Sequence, residues 1–220
     1  LKKVRVWDLP TRLFHWSLAA CVIGLVVTAN VGGDAMVWHF RLGYCVLSLL
    51  LFRLVWGFIG GYWSRFGSFT PSPTTLIRYL KGNGDPHHSV GHNPLGALSV
   101  LALLFFCFAQ AAIGLISDDE IVAAGPLVSK VPMAWVPIAT FIHTEVTKVV
   151  LIVLVFLHLA AILWYRFKKG ENLITPMIMG DKELPEITAV SHDTAASRAV
   201  AAVVLLLCAG VVNAMLWWAA

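Results

Sequence analysis

Four histidines lie in or at the ends of long apolar runs, and their type and spacing are what carries chemistry in this chain: His15, His39, His143 and His158. Polar and metal-binding side chains are costly inside a membrane-length helix, so their presence there marks a functional site. His143 and His158 are 15 positions apart in one run. On a regular helix that is about 22 Å along the axis and about 60° around it. One helix would then offer two imidazoles to nearly the same side, one close to each membrane face. His15, near the start of the first run, matches the depth of His158, and His39, at the start of the second, matches that of His143. Two imidazoles at each of two depths suit six-coordinate haem iron, which takes axial nitrogens from opposite sides of the porphyrin, clamped between helices. The pattern predicts an outer haem on His39 and His143 and an inner haem on His15 and His158.

Other chemistries fit less well. Zinc takes four converging ligands, or three and an open position, and two pairs roughly 20 Å apart do not supply them. A proton relay draws on intramembrane carboxylates, and only Glu145 is near. Histidines that merely hydrogen-bond across helices, in a non-redox transport or assembly protein, are the bland rival, and a visible spectrum separates the two. Arg53 follows His39 by 14 positions, about 21 Å deeper and within about 40° of the same face. There it could pair a propionate of the inner haem, or else snorkel as a cytoplasmic anchor. Gly43 lies one turn beyond His39 and leaves room for a flat ring. Gly96 and Gly114 share a face of the third helix and could clear space for two porphyrins, although small residues also serve plain helix contacts. His92, in GHNP, could approach the inner haem edge or a quinone. His87, His88 and His192 are given no role.

The elements that must position these residues are helices in lipid. Of 220 residues, 59% are hydrophobic and only 13% charged, with a mean hydropathy of +0.80, about half the charge of an ordinary soluble domain. Five runs, near 12–31, 39–60, 94–116, 140–165 and 198–218, reach the roughly 20 residues that cross the hydrocarbon as helix. Their length and lack of alternation exclude a barrel. The fold expected is all-α, an integral membrane helical bundle: a four-helix core over residues 1–182, then a linker and a fifth transmembrane helix over 183–220. A short interfacial helix is expected over Thr74–Lys81.

Charge reports orientation rather than nucleic acid, since no basic stripe or nucleic-acid motif is present. Twelve Lys and Arg residues fall on the side of the N-terminal tail and of the 61–93 and 166–197 segments, against Arg41 and Lys130 on the other. This predicts a cytoplasmic N-terminus and an outer C-terminus, with Trp38, Trp135, Trp217 and Trp218 at the outer interface. No convincing signal-peptide cleavage site follows the first run, which is kept as a spanning helix. Cys21, Cys45, Cys107 and Cys208 sit in four different runs without a CxxC or CxxCH pattern. That leaves out covalent haem attachment, zinc clusters and iron–sulfur ligation, and the thiols read as small packing residues.

Together, VWDLPTRLFHW (6–16), HFRLGY (39–44), FRLVWGFIGG (52–61), GHNPLGALS (91–99), FIHTE (141–145), LVFLH ending at His158 and NLITPMIMG (172–180) resemble the bacterial di-haem cytochromes b. These comprise the prokaryotic cytochrome b561 proteins and the cytochrome b subunits of nickel–iron hydrogenases. The resemblance covers residues 4–182. It implies haem ligands on helices one, two and four, at the positions of His15, His39, His143 and His158, and two haem b groups. It also implies electron exchange between the quinone pool and a redox partner. The shortest family members end after four helices; this chain adds a fifth.

The reading expected is therefore a membrane-bound electron-transfer subunit of the bacterial inner membrane. It would join the quinone pool to a periplasmic c-type cytochrome or a dehydrogenase or hydrogenase subunit. No set of titratable residues points to bond-making catalysis. A stand-alone superoxide:quinone oxidoreductase is the alternative within the family. It would need a cationic entrance over the outer haem, against which Asp118, Asp119 and Glu120 stand.

Overall fold

In the computed structural model the described residues are 2–83, 90–119, 123–184 and 189–220; His87, His88 and Glu120 lie outside them. The elements in chain order are β1 (Lys2–Arg5), α1 (Leu9–Val31), α2 (Met36–Ile59), α3 (Phe66–Phe69), α4 (Pro73–Leu80), α5 (Pro94–Gly114), α6 (Val136–Phe141), a π-helical turn (Ile142–Thr147), α7 (Lys148–Lys168), α8 (Ile174–Met179), β2 (Asp181–Leu184) and α9 (Ala195–Ala219). Among the described residues, five helical segments are long and apolar enough to cross a membrane: Leu9–Val31, Gly33–Ile59, Pro94–Gly114, Met133–Lys168 and Ala195–Ala219. Large apolar side chains such as Phe105, Phe156 and Leu206 are exposed, as they are where lipid is the solvent. The chain is a multi-pass membrane protein.

The five spans and the short α4 match the sequence expectation. The fourth span differs. It opens at Met133, seven residues before the expected start at 140, through a 3₁₀ turn over Met133–Trp135 and then α6. It then passes through the π turn, in which backbone bonds run to the fifth residue instead of the fourth. Ideal α-helical phasing between His143 and His158 therefore does not hold through residues 142–147.

The residues group into two compact units. The first comprises 1–13, 53–102 and 154–202. Here the N-terminal tail, expected only as a tail, is ordered: β1 pairs antiparallel with β2, Lys2 opposite Leu184 and Arg5 opposite Asp181. An Arg5–Asp181 ion pair at 2.7 Å reinforces that register. Gly180, at φ +92°, accepts hydrogen bonds through its carbonyl from the N–H groups of Val6 and Trp7. A side chain there would meet the Trp7 carbonyl at 2.7 Å, so the turn ending NLITPMIMG needs glycine on both counts. Ser191 closes the tail from the other side, its N–H donating to the Arg5 carbonyl and its hydroxyl to that of Val6. Val4, Val6, Trp7, Val90 and Leu184 form the small buried cluster that results.

Asp8 caps α1 by accepting from the Thr11 N–H at 2.8 Å. Its fully buried carboxylate also accepts from Trp56 Nε1, Gly61 N–H and Ser64 Oγ. A side chain at Gly61 would run into that carboxylate. One acidic residue thus joins the start of α1 to the end of α2. Asp193 lies just before α9 and bonds Arg5 and Arg198. Burial pushes its carboxyl up, but hydrogen bonding from Arg198 and the Leu9 N–H, with the charges of Arg198 and Arg5, holds it below the ordinary carboxylate value.

The second unit comprises 14–52, 103–153 and 203–220. Here α1 and α2 approach closely at Gly24, where a Cβ would meet Leu42 at 2.7 Å. The Cys21 and Cys45 sulfurs lie 3.8 Å apart, and all four cysteines are free thiols. Thr140 ties the fourth span to the preceding loop, accepting from the Asp118 N–H and donating to the Val136 carbonyl. Lys130 lies 5.2 Å from the Trp218 ring of α9.

Candidate functional site

Of the four predicted ligands, the second unit brings together His39 and His143. His39 stands in the first turn of α2, preceded by Gly32 and Gly33, both with positive φ. Its Nδ1 is 3.1 Å from the Leu25 carbonyl and 3.3 Å from the Thr28 hydroxyl, which itself donates to the Gly24 carbonyl. His143 stands in the π turn, and its Nδ1 donates to the Gln110 carbonyl at 3.0 Å. A carbonyl accepts only, so each of these bonds places the proton on Nδ1 and leaves Nε2 as the nitrogen with a lone pair to offer. The same arrangement orients ligand histidines at metal centres generally.

The two rings are 6.4 Å apart between centroids and inclined at 83°. With metal–nitrogen bonds of about 2.0 Å and about 1.1 Å from nitrogen to ring centre, two imidazoles on opposite sides of one metal ion have centroids about 6.2 Å apart. The pair has the tautomer and the centroid separation that bis-imidazole ligation needs, and the Gln110 amide, 3.3 Å from His143 Nε2, is the group that a metal ion on that nitrogen would displace. Among the described residues no group of three or more His, Cys, Asp or Glu side chains could hold a metal ion, so a closed zinc site lacks its ligands there.

Two residues beside His143 were not singled out from sequence. The Gln110 carboxamide donates to the His143 carbonyl at 3.1 Å, and its Nε2 lies 3.3 Å from His143 Nε2. The Thr147 hydroxyl contacts Gln110 Oε1 and donates to the Ile142 carbonyl. The available signal was Gln110 itself, a carboxamide in α5, where Ser99 is the other hydrogen-bonding side chain. Gly114, expected to clear space for a porphyrin, faces the His143 ring. A Cβ there would sit 2.8 Å from His143 Cε1. At Gly43 a Cβ would meet nothing within 4 Å, which agrees with room beside His39. At Gly96 it would meet Asn93, whose Oδ1 accepts from the Gly96 N–H.

His15 and His158 fall in different units. His15 is partly buried in the second, edge-on to Trp16 at 5.0 Å. His158 is partly buried in the first. Arg53, also in the first unit, is only 4% exposed, which is not the exposure of a snorkelling anchor. Its guanidinium lies 4.9 Å over the Phe66 ring. Gly57, one turn along α2, admits that ring, which would overlap any side chain at this position. Arg53 Nη1 is buried without a hydrogen-bond partner among the described residues. A buried cation with a spare donor suits an anionic group such as a propionate. His92 packs between Trp7 and Phe69, each centroid 4.7 Å away. Glu145 and His192 are exposed.

Comparison with known proteins gives the family. A family model described as prokaryotic cytochrome b561 matches residues 6–180. The chain is 30% identical over 131 residues to a probable Ni/Fe-hydrogenase B-type cytochrome subunit of Azotobacter vinelandii, covering 48% of this chain and 52% of that one. A protein of the same description from Azotobacter chroococcum matches over the same shares. The chain thus spans about half the length of these two relatives. One from Bradyrhizobium diazoefficiens is 26% identical over 213 residues, covering 82% of this chain and 86% of the relative.

Proposed function

The chain belongs to the prokaryotic cytochrome b561 family, and on that footing we propose that it carries electrons between the quinone pool and a redox partner on the periplasmic face. Membership makes it a membrane b-type cytochrome of electron transfer, and so a haem b protein. The proposal adds two haems, the outer on His39 and His143 and the inner on His15 and His158, with Arg53 beside an inner-haem propionate. Residues 1–182 form the di-haem four-helix domain, and 183–220 add a linker and the fifth span. The observation that carries the reading is the His39–His143 pair, with both Nδ1 atoms at carbonyls and ring centroids 6.4 Å apart.

Bound haem supplies one-electron chemistry; the protein sets axial ligation, burial and local charge. His39 and His143 offer Nε2 lone pairs from two helices, and the carbonyls of Leu25 and Gln110 keep those nitrogens unprotonated and the rings in place. In a bilayer the apolar spans would keep water from them. The excess of Lys and Arg around the N-terminal tail and the 61–93 and 166–197 segments supports a cytoplasmic N-terminus in the bacterial inner membrane. The relatives' description as hydrogenase cytochrome subunits supports a hydrogenase or other dehydrogenase subunit as partner, with a periplasmic c-type cytochrome as the other candidate. The quinone rests on the family resemblance.

The test is haem stoichiometry. Purified protein is expected to yield two protohaems per chain in a pyridine haemochrome assay. His143→Ala and His39→Ala should each remove the same one, and His158→Ala and His15→Ala the other. Protein without protohaem, or a His143→Ala variant with unchanged haem content, refutes the assignment. Reduction of both haems by a quinol in native membranes tests the quinone.

A further inference from the structure

Cys21 and Cys45 are 24 positions apart, near the middle of α1 and of α2, yet their sulfurs are 3.8 Å apart and both are free thiols. We infer that they form a dithiol site for an uncharged, lipid-soluble trivalent arsenical, whose arsenic atom would bridge the two sulfurs and clamp α1 to α2. The site does not depend on the haem reading.

Packing holds the two thiols together from both sides. Along the antiparallel pair of helices Thr28 meets His39, Gly24 meets Leu42, Cys21 meets Cys45 and Phe14 meets Phe52. At Gly24 the approach is so close that a Cβ would sit 2.7 Å from Leu42 Cδ1. The Phe14 and Phe52 ring centroids are 6.4 Å apart. Close-packed neighbours on either side fix the backbones, so the sulfurs move mainly by rotation of their own side chains.

Magnitudes select the ligand. A disulfide needs its sulfurs about 2.05 Å apart, which would draw this pair together by roughly 1.8 Å. Two sulfurs bound to one acceptor atom by bonds of about 2.3 Å, at pyramidal to tetrahedral angles, lie about 3.5–3.8 Å apart. The thiols already stand at that separation, so a bridging atom demands almost no movement. Charge narrows the class further. A metal ion would have to shed its water and enter hydrocarbon as a charge. It would then find two ligands where zinc takes four, or three and an open position; among the described residues no third His, Cys, Asp or Glu joins the pair. An organoarsenic oxide is uncharged, and so is its product. RAs=O and two R′SH give RAs(SR′)2 and one water: two As–S bonds replace the As=O bond and two S–H bonds, and both thiol protons leave on the oxide oxygen. Arsenic stays trivalent and no electron is transferred. Cys45 is exposed and offers the first sulfur from the lipid side, whereas Cys21 is buried.

The experiment incubates the purified full chain, reduced and in detergent, with phenylarsine oxide and reads the intact mass. Wild type is expected to take one phenylarsenic group per chain with loss of one water. The adduct should withstand excess 2-mercaptoethanol, which strips single As–S bonds, and yield to 2,3-dimercaptopropanol, itself a dithiol. Cys21→Ser and Cys45→Ser should each lose the resistant adduct, and Cys107→Ser and Cys208→Ser should keep it. Because a bound ligand stabilises the folded state, loaded wild type should melt above unloaded protein, and treated Cys45→Ser should not. Wild type without a resistant adduct overturns the inference, as does a resistant adduct that survives in Cys21→Ser or Cys45→Ser. If Cys21→Ser fails to fold, Cys45→Ser, altered at an exposed side chain, decides. Chains that close a disulfide in air, two hydrogens lighter and with both thiols unreactive, overturn the preference for a bridging atom.

Discussion

Replacing Arg53, a residue 4% exposed, with methionine keeps an unbranched apolar stem and removes a guanidinium that has one nitrogen without a partner among the described residues. Without haem the effects nearly cancel. The contact over Phe66 is worth about 1 kcal/mol, while relief of a buried donor lacking its hydrogen bond returns about 1–3 kcal/mol. The apo-protein should melt close to wild type. With haem the balance changes, because removing one partner from a buried ion pair costs about 3–5 kcal/mol. At a factor of ten per 1.4 kcal/mol, affinity for one of the two haems should fall by roughly two to three and a half orders of magnitude. Arg53→Lys keeps the charge but not the planar fork and should recover part of the loss. The assay is titration of haemin into apo-protein in detergent, followed at the Soret band, beside thermal unfolding of the apo forms. Haem affinities of Arg53→Met within twofold of wild type at both sites would refute the propionate role.

Asp8→Ala removes the acceptor shared by Thr11 N–H, Gly61 N–H and Trp56 Nε1. At about 1–3 kcal/mol for each buried donor, partly offset by relaxation, it should destabilise the fold by about 3–5 kcal/mol. Denaturant unfolding in detergent reads that loss, and a change below about 1 kcal/mol would contradict the network's role. Asp193 is held below its ordinary value, so its contribution is fully present above the unfolded carboxylate value of about 3.9 and is lost as pH falls through the lower folded value. Melting temperatures measured from pH 7 down to 3 should drop less steeply at the acid end in Asp193→Asn than in wild type; equal slopes would count against it. Gly114→Ala places a methyl against His143 Cε1, whereas Gly43→Ala meets nothing within 4 Å. The first should therefore disturb the apo-protein's packing, seen in its melting temperature. The second should leave that temperature unchanged and, where a porphyrin lies beside His39, lower haem content alone.

Much of the fold was legible because lipid imposes a simple rule. Each span must be long, apolar and helical, and the structure starts and ends the first, second, third and fifth within a few residues of where hydropathy places them, Gly33 excepted, six residues before the expected start at 39. The exception within the fourth span is physical. Val136–Pro137 can open a helix as well as a loop, so the early start leaves no mark in hydropathy. Nor does the π turn, because a backbone register change depends on which carbonyls find partners outside the helix. The β1–β2 pairing was hidden for a related reason. Four residues such as Lys2–Arg5 have no strand periodicity of their own and are held by Asp181–Leu184, about 180 positions away.

By itself the sequence determined a membrane solvent, five spanning helices and the presence of histidines at depths where imidazole is costly. Those are properties of composition and of position along a helix, which one-dimensional information carries. Tertiary structure alone decided that Nδ1 of His39 and of His143 each rests on a carbonyl of another helix, that Gly114 makes room for the His143 ring, and that Gln110 and Thr147 lie beside it. Those facts depend on angles and distances between segments far apart in the chain. Hydrogen bonds and close packing respond to tenths of an ångström, whereas hydrophobicity responds only to which solvent a residue meets.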